Sequence, residues 1–588
     1  MDTTPYSTLR LIVTASLITV VGCNSAGTDP QVTPTTAAME SKPVLAVSDM
    51  IKLNQVGYPN DAEKLALIPN SDATRFNVVN TATGEVAYSD TLSESFAWLP
   101  SGDTQFKLAD FSPLTSVGDY RIDVEGIDSS FSFSVGDGLY SEARQAALRY
   151  YYLNRAGMAV EERFDDKWQR RKGHADENVA VHPSAAGAGF ATEQTVASPK
   201  GWYDAGDYGK YTVNSGIATY TLLAAYEHYP SAMFSDATNI PESGNGVADV
   251  LDEAKWNLDW MHTMQAEDGS VVHKLTSLEW PGKEMPHEDT RTRYLIGKST
   301  SAALDFTATM AAASRVYASV SGDFTDNATQ WLEAAIKAWE WAQQNPNLVY
   351  VQPEDVKSGE YGDDSFNDEF AWAAAELFVT TGDLTYFEAF KTYKVDVKEA
   401  SWQHVAALPY LTLLNKGKPL LDAEAYQNLV NEFMQFADAL IDVQNSSLIR
   451  LPIATDDFVW GSNAVMMNKA IVLLEAYRLT QDRQYANSAR HLVNYVMGYN
   501  PTGFSFITGF GDKTAVDPHH RISISDDVAE PHPGMLVGGP HAGRQDGCDY
   551  DDLSHAGSYI DDWCSYATNE VAINWNAPLY YVLTALSE

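Results

Sequence analysis

From Ile51 to Val135 the chain alternates apolar and polar positions in short runs: Phe76-Asn77-Val78-Val79, Tyr120-Arg121-Ile122-Asp123-Val124 and Phe131-Ser132-Phe133-Ser134-Val135. Turn signals, Thr83-Gly84-Glu85 and Val117-Gly118-Asp119, separate them. A period of two with frequent turns predicts a small all-β sandwich. From Tyr140 the period becomes helical and stays so almost to Glu588. Ala248 to Met264, Ser299 to Tyr317, Thr329 to Gln344, Asp368 to Val379, Ala423 to Val443, Asn463 to Thr480 and Tyr485 to Met497 each carry apolar residues at i, i+3, i+4 and i+7. Roughly a dozen such helices, several Ala-rich and joined by long polar and aromatic loops, predict a toroid of paired helices with a groove on one face.

The first residues follow a third pattern. Arg10 precedes the apolar run Leu11 to Val21, which has signal-peptide length. The run ends in Val20-Val21-Gly22-Cys23, which resembles a bacterial lipobox and makes Cys23 the expected lipidated N-terminus. A plain secretory signal with a chance cysteine is the alternative. Asn24, where an Asp is absent, favours the outer membrane, with its periplasmic and surface faces both open. The expected organisation is a signal peptide over 1–22, a Ser-, Thr-, Pro- and Ala-rich tether over 23–49, the sandwich over 50–137 and the helical half over 138–588.

Composition excludes several classes. With 588 residues, 45% apolar, the chain is too long for one ordinary domain and too apolar for disorder. A net charge of −40 argues against nucleic acid and against binding anionic lipid by basic patches, so a lipid anchor is the only membrane contact expected. Three cysteines supply neither a disulfide framework nor a four-thiolate metal cluster.

Three clusters carry chemistry. Gly201-Trp202-Tyr203-Asp204-Ala205-Gly206-Asp207-Tyr208-Gly209-Lys210-Tyr211 sets two carboxylates three apart around small residues, which suits a tight loop acting on one water; an acidic surface turn is the bland reading. Ser505 to Lys513, continuing to Pro518-His519-His520-Arg521, offers hydrogen-bond donors to a sugar; metal is the weaker reading because no acidic or thiolate ligand stands at a zinc spacing. Tyr559 to Pro578 places Glu570 near the start of a predicted final helix, among aspartates and Trp575. Like charges and partial burial would raise its pKa, as a general acid needs, whereas a helix-start dipole would lower it.

Together these stretches resemble glycoside hydrolase family 9, in the branch with an immunoglobulin-like module before an (α/α)6 barrel. Asn54-Gln55-Val56-Gly57-Tyr58-Pro59 resembles the opening of that module, and Ser505 to Arg521 and Tyr559 to Ala577 fit the family's two signature patterns. The resemblance implies Asp207 as general base, Asp204 as its aid in holding water, Glu570 as general acid and Asp561 in support. It implies His519 and Arg521 as substrate contacts, and Trp460, in Val459-Trp460-Gly461-Ser462-Asn463, more firmly as a fold residue than as a ligand contact. The implied reaction is inverting hydrolysis of β-1,4-glucosidic bonds, endo or exo, with no organic cofactor. Some relatives hold zinc through two thiolates; here Arg155-Ala156-Gly157 and Gly173-His174 lack both, so zinc is not expected. Asp364-Ser365-Phe366-Asn367-Asp368-Glu369 resembles the family's calcium segment, implying Asp368 and Glu369 as hard oxygen ligands, against a reading as plain helix-start charge.

With Cys23 lipidated, Cys548 and Cys564 remain, and a bridge between them would fix the loop that carries the acid. Alternatives are an exo-β-glucosaminidase on chitosan oligosaccharides, whose cationic sugar suits an acidic groove, and a non-catalytic glycan-capture lipoprotein. A monomer is expected. Arg163 to Lys200 and Gly543 to Asp562 are candidates for closing one end of the cleft.

Overall fold

The computed structural model describes residues 47–233, 238–320 and 322–587; the signal segment, Cys23 and nearly all of the tether lie outside the described residues. Eight strands come first: β1 (Gly57–Tyr58), β2 (Leu65–Pro69), β3 (Arg75–Asn80), β4 (Val86–Thr91), β5 (Phe96–Ala97), β6 (Gln105–Asp110), β7 (Gly118–Val124) and β8 (Phe133–Val135). They form two sheets, ordered β1-β8-β7-β3-β4 and β2-β6-β5. In β7 the alternation works as read: Tyr120, Ile122 and Val124 are buried, while Arg121 and Asp123 point to the other face and pair at 2.9 Å. Tyr58, Ile68, Phe76, Ile122 and Phe133 belong to the core between the sheets.

The helices are α1 (Ser141–Leu153), α2 (Thr212–His228), α3 (Asp249–Thr263), α4 (Thr300–Ala318), α5 (Thr325–Gln344), α6 (Asn367–Thr381), α7 (Leu384–Tyr393), α8 (Leu408–Thr412), α9 (Ala423–Asn445), α10 (Ser462–Thr480), α11 (Arg483–Val496), α12 (Arg521–Ser525) and α13 (Ile573–Ala585). Local chemistry sets several ends: Ser299, Asp422 and Asp482 cap α4, α9 and α11 through their side chains, and Gly382, at φ 74°, ends α6. The helices are of two kinds. In α2, α4, α10 and α13 nearly every residue is buried, so each must lie inside a shell of others. By contrast, α5 buries one stripe, including Trp331, Ala335, Ala338 and Ala342. The buried helices pack in sequence, α10 on α13, α13 on α2, α2 on α4, α4 on α6 and α6 on α8; α1, α3, α5, α7, α9 and α11 each lie against one of them.

One expectation fails. The region after Tyr140 is not helical throughout, for a second five-stranded sheet lies between α1 and α4: β9 (Val179–Val181), β10 (Thr195–Val196), β11 (Lys210–Tyr211), β12 (Val272–Ser277) and β13 (Arg293–Lys298), in the order β10-β9-β13-β12-β11. Every residue of β12 is buried, so its sequence shows no alternation to read. Arg163 to Lys200, a candidate for closing the cleft, contributes β9 and β10 to this sheet.

The Asn54–Pro59 motif joins the two halves. Asn54 Nδ2 donates to Asn494 Oδ1 (2.9 Å) and Gln55 Nε2 to the Gly503 carbonyl (2.8 Å), while Gln55 Oε1 accepts from the Lys513 amide (2.8 Å). A second junction lies near the groove, where Trp98 packs edge-on against Phe458 and the Pro100 carbonyl accepts from the Ala556 amide at 2.9 Å.

Candidate active site

The three clusters meet. The first forms a loop between a backbone bridge, Arg155 to Trp202, and β11. Its turn is closed by the Asp204 amide donating to the Gly209 carbonyl at 3.0 Å, and the Asp204 carbonyl accepts from the Ile573 amide at the start of α13 (2.8 Å). From the second cluster, Arg521 Nη1 donates to the Gly206 carbonyl at 2.7 Å. From the third, Glu570 Oε1 accepts from the Gly206 amide at 3.3 Å. Both distant segments thus hold the residue that precedes Asp207.

Glu570 is not on the final helix. It lies three positions before α13 on extended backbone, paired in parallel with His519, and its carbonyl accepts from the Gly538 amide at 2.8 Å. Burial first, then the neighbouring Asp207 carboxylate, pushes its pKa up to about 8.

Asp207 Oδ2 accepts from the Tyr211 hydroxyl and the Gly209 amide, each at 3.0 Å. Asp204 is fully buried: Asn214 Nδ2 donates to both its oxygens at 3.0 Å and the Tyr361 hydroxyl to Oδ2 at 2.8 Å. Burial and Asp207 raise it to about 8 as well. The Asp561 carboxylate takes the amides of Val516 (2.9 Å) and Asp517 (3.0 Å) and the Asn569 side chain (3.0 Å), holding the loop that leads to His519.

His519 stacks on Trp563, ring centres 4.2 Å apart, with Nδ1 hydrogen-bonded to the Trp563 carbonyl (2.7 Å). Burial lowers its pKa to about 4, so the ring is neutral in ordinary solution. Tyr566 lies edge-on to His519 at 6.1 Å, and Trp460, 41% exposed, lies 5.5 Å beyond Tyr566. Trp563, His519, Tyr566 and Trp460 thus form a chain of aromatic contacts that ends at the partly exposed Trp460. Cys548 and Cys564 form a disulfide, Cα atoms 6.1 Å apart, immediately before Ser565 and Tyr566.

Sequence reasoning missed Tyr361 and Asn214, which bear on Asp204 from elsewhere in the chain and have no motif to mark them. Trp563 and Tyr566 stood in the third cluster without a role.

The zinc place of some relatives does not fit zinc here. Ala156 lies in an apolar cluster with Tyr203, Tyr208 and Met285, and His174 is engaged by the Tyr203 hydroxyl (3.0 Å) and Asp289 (3.3 Å). Among the described residues no group of three or more His, Cys, Asp or Glu converges to hold a metal. Around Asp368 and Glu369, however, Asp305, Asp363 and Glu369 each bury a carboxylate oxygen with no hydrogen-bond partner, and Asp368 Oδ2 accepts from the Val405 amide. Burial and mutual repulsion push Asp305 and Glu369 well above the usual carboxylate range.

Comparison with known proteins decides the family. The model "Glycosyl hydrolase family 9" matches residues 140–583. The chain belongs to glycosyl hydrolase family 9. Residues 46–129 match the "Cellulase N-terminal ig-like domain", so the sandwich is the family's Ig-like module. A xyloglucan-specific endo-beta-1,4-glucanase of Bacteroides ovatus is 39% identical over 556 residues, 92% of this chain and 94% of the relative. Endoglucanase D of Acetivibrio thermocellus is 31% identical, over 91% of this chain and 82% of its own length. The solved structure of a Bacteroides ovatus family 9 protein superposes with a TM-score of 0.86 at 37% identity, covering 92% of this chain and 99% of that one. This family 9 chain is a glycoside hydrolase, and such enzymes need no organic cofactor.

Proposed function

We propose that the groove hydrolyses β-1,4-linked glucan chains with inversion, Asp207 as general base and Glu570 as general acid. The observation that carries this reading is the hydrogen bond from the Gly206 amide to Glu570 Oε1 at 3.3 Å, which joins the acid to the loop of the base. Inverting enzymes set the two carboxyls about 6.5 to 9.5 Å apart with a water beside the base. Tyr211 and Gly209 occupy Asp207 Oδ2, leaving Oδ1 for that water. As the water attacks the anomeric carbon it gives its proton to Asp207. The glycosidic C–O bond breaks, and its oxygen takes the proton that burial and the nearby carboxylate keep on Glu570. Asp204 and Asp561 act as positioning residues, and the aromatic row carries sugars beside the site.

The relatives named for xyloglucan and for endoglucanase activity support a glucan over chitosan oligosaccharides, and over capture without turnover. The test is product release from cello-oligosaccharides, xyloglucan and chitosan oligosaccharides by the wild type and by Glu570→Gln, with the anomer of the first product read by NMR. Glucan cleavage giving the α-anomer is expected; a β-anomer first product refutes the assignment.

Four further expectations belong to this reading. The order of buried helices supports an (α/α)6 double ring. The unpartnered oxygens of Asp305, Asp363 and Glu369 support a structural calcium beside Asp368. The Val20–Cys23 run supports a lipoprotein anchored in the outer membrane by Cys23, with the module beginning near residue 50 and the catalytic half near 138; labelling with radioactive palmitate, lost in Cys23→Ser, tests it. The protein acts as a monomer, which light scattering on the lipid-free form checks.

A further inference from the structure

Lys274 is a buried cation that the mechanism above does not use. It stands on β12 directly opposite Tyr211 on β11, the residue whose hydroxyl donates to Asp207. Its side chain is wholly buried, and no carboxylate lies within ion-pair reach of its ammonium among the described residues. Nζ donates instead to Gln352 Oε1 (2.8 Å) and to the carbonyls of Gly359 (2.6 Å) and Ser358 (3.4 Å), and it lies over the rings of Tyr211 (5.7 Å) and Tyr350 (5.3 Å). Two residues beyond Gly359 comes Tyr361, held at φ 49°, whose hydroxyl donates to Asp204. One ammonium therefore touches the supports of both carboxylates of the loop, the Tyr211 ring under Asp207 and the irregular segment that delivers Tyr361 to Asp204.

We propose that Lys274 is a positioning residue for the hydrolytic reaction, fixing Tyr211 and Tyr361 against the Asp204–Asp207 loop. This rests on Asp207 being the base. The charged and titratable groups around Lys274 are Asp207 and Glu360, which favour its ammonium, together with His273, Tyr211 and Tyr350. His273 stacks on Tyr350 and is held neutral by burial, so it adds no rival charge. Burial lowers Lys274 itself to about 7. A buried ammonium is costly unless it is hydrogen-bonded or faces a negative group. Here Gln352 and the carbonyls of Gly359 and Ser358 supply those bonds.

The experiment compares wild type, Lys274→Met, Lys274→Arg and Asp207→Asn on a soluble β-1,4-glucan, recording kcat and KM against pH. Without the ammonium Tyr211 should hold Asp207 less firmly, and a carboxylate that loses a donor is harder to ionise. In Lys274→Met the acid limb of kcat/KM should rise by roughly one pH unit, with kcat at its optimum down about tenfold and KM changed far less. Lys274→Arg, which keeps the charge, should leave the limb near its wild-type position. The position of a limb does not depend on how much of the protein folds, so a poorly expressed variant still answers. An unmoved acid limb in Lys274→Met overturns the inference even if kcat falls, because a merely structural loss lowers the profile without shifting it. Wild-type turnover in Asp207→Asn would instead refute Asp207 as the base, a separate failure.

Discussion

The α-carbon of Gly206 faces the carbonyl oxygen of His519 so closely that a methyl group there would lie 2.2 Å from that oxygen and 3.1 Å from Glu570 Oε1. Glycine is required at this point by space, since the Asp204–Asp207 loop, the His519 segment and the Glu570 segment converge on one Cα. Gly206→Ala is therefore expected to push Glu570 and His519 away from the loop and lower kcat by at least about 100-fold, because displacements near 1 Å carry penalties of that order. Steady-state kinetics with circular dichroism, to verify folding, checks this.

Glu570, raised to about 8, gives two outcomes of known sign. Activity should fall as pH climbs through about 8, where the acid loses its proton. In Glu570→Gln turnover of a glucan should drop by roughly 10²- to 10⁴-fold, with much less loss on an aryl glycoside whose leaving group needs no proton. A carboxyl whose folded pKa lies above its unfolded value contributes stability at low pH that is lost as pH rises through the folded pKa. The melting temperature of Glu570→Gln should therefore gain on that of wild type between about pH 4 and 8, as thermal scans across that window would record.

The Cys548–Cys564 bridge adjoins Trp563, Tyr566 and the strand of Glu570, so reduction should loosen the sugar surface before it unfolds the protein. Cys548→Ser with Cys564→Ser is expected to raise KM for long glucans several-fold while changing kcat less, and to lower stability by about 3 kcal/mol, the loop-closure value for a loop of this size. Initial rates and chemical denaturation measure both.

For a calcium held by Asp368 and Glu369, a chelator should lower the melting temperature by about 3 to 10 °C and added calcium should restore it. Asp368→Asn should abolish that response. Differential scanning calorimetry with and without chelator decides it.

The legible parts of the sequence were those whose periodicity matches one buried face. The strand of Tyr120, Ile122 and Val124 shows its alternation, and α5 shows its stripe. β12 does not, because burial on both faces erases the alternation. The three chemical clusters were readable as compact motifs, and the aspartates and Glu570 do come together. Glu570 was read near the start of the final helix and stands three positions before it, but its pairing with His519, 51 positions earlier, leaves no local trace. Tyr361, Asn214 and Lys274 were invisible as site residues for the same reason: each acts through a contact that only the folded chain creates.

Trp98 and Pro100 of the Ig-like module press on Phe458 and Ala556, two residues from Trp460 and fourteen from Glu570. The sandwich is thus a buttress for the rim of the cleft. Severing the chain between the two halves would remove both contacts, so a truncation that discards the sandwich uncovers Phe458 and Ala556 beside the Trp460 segment.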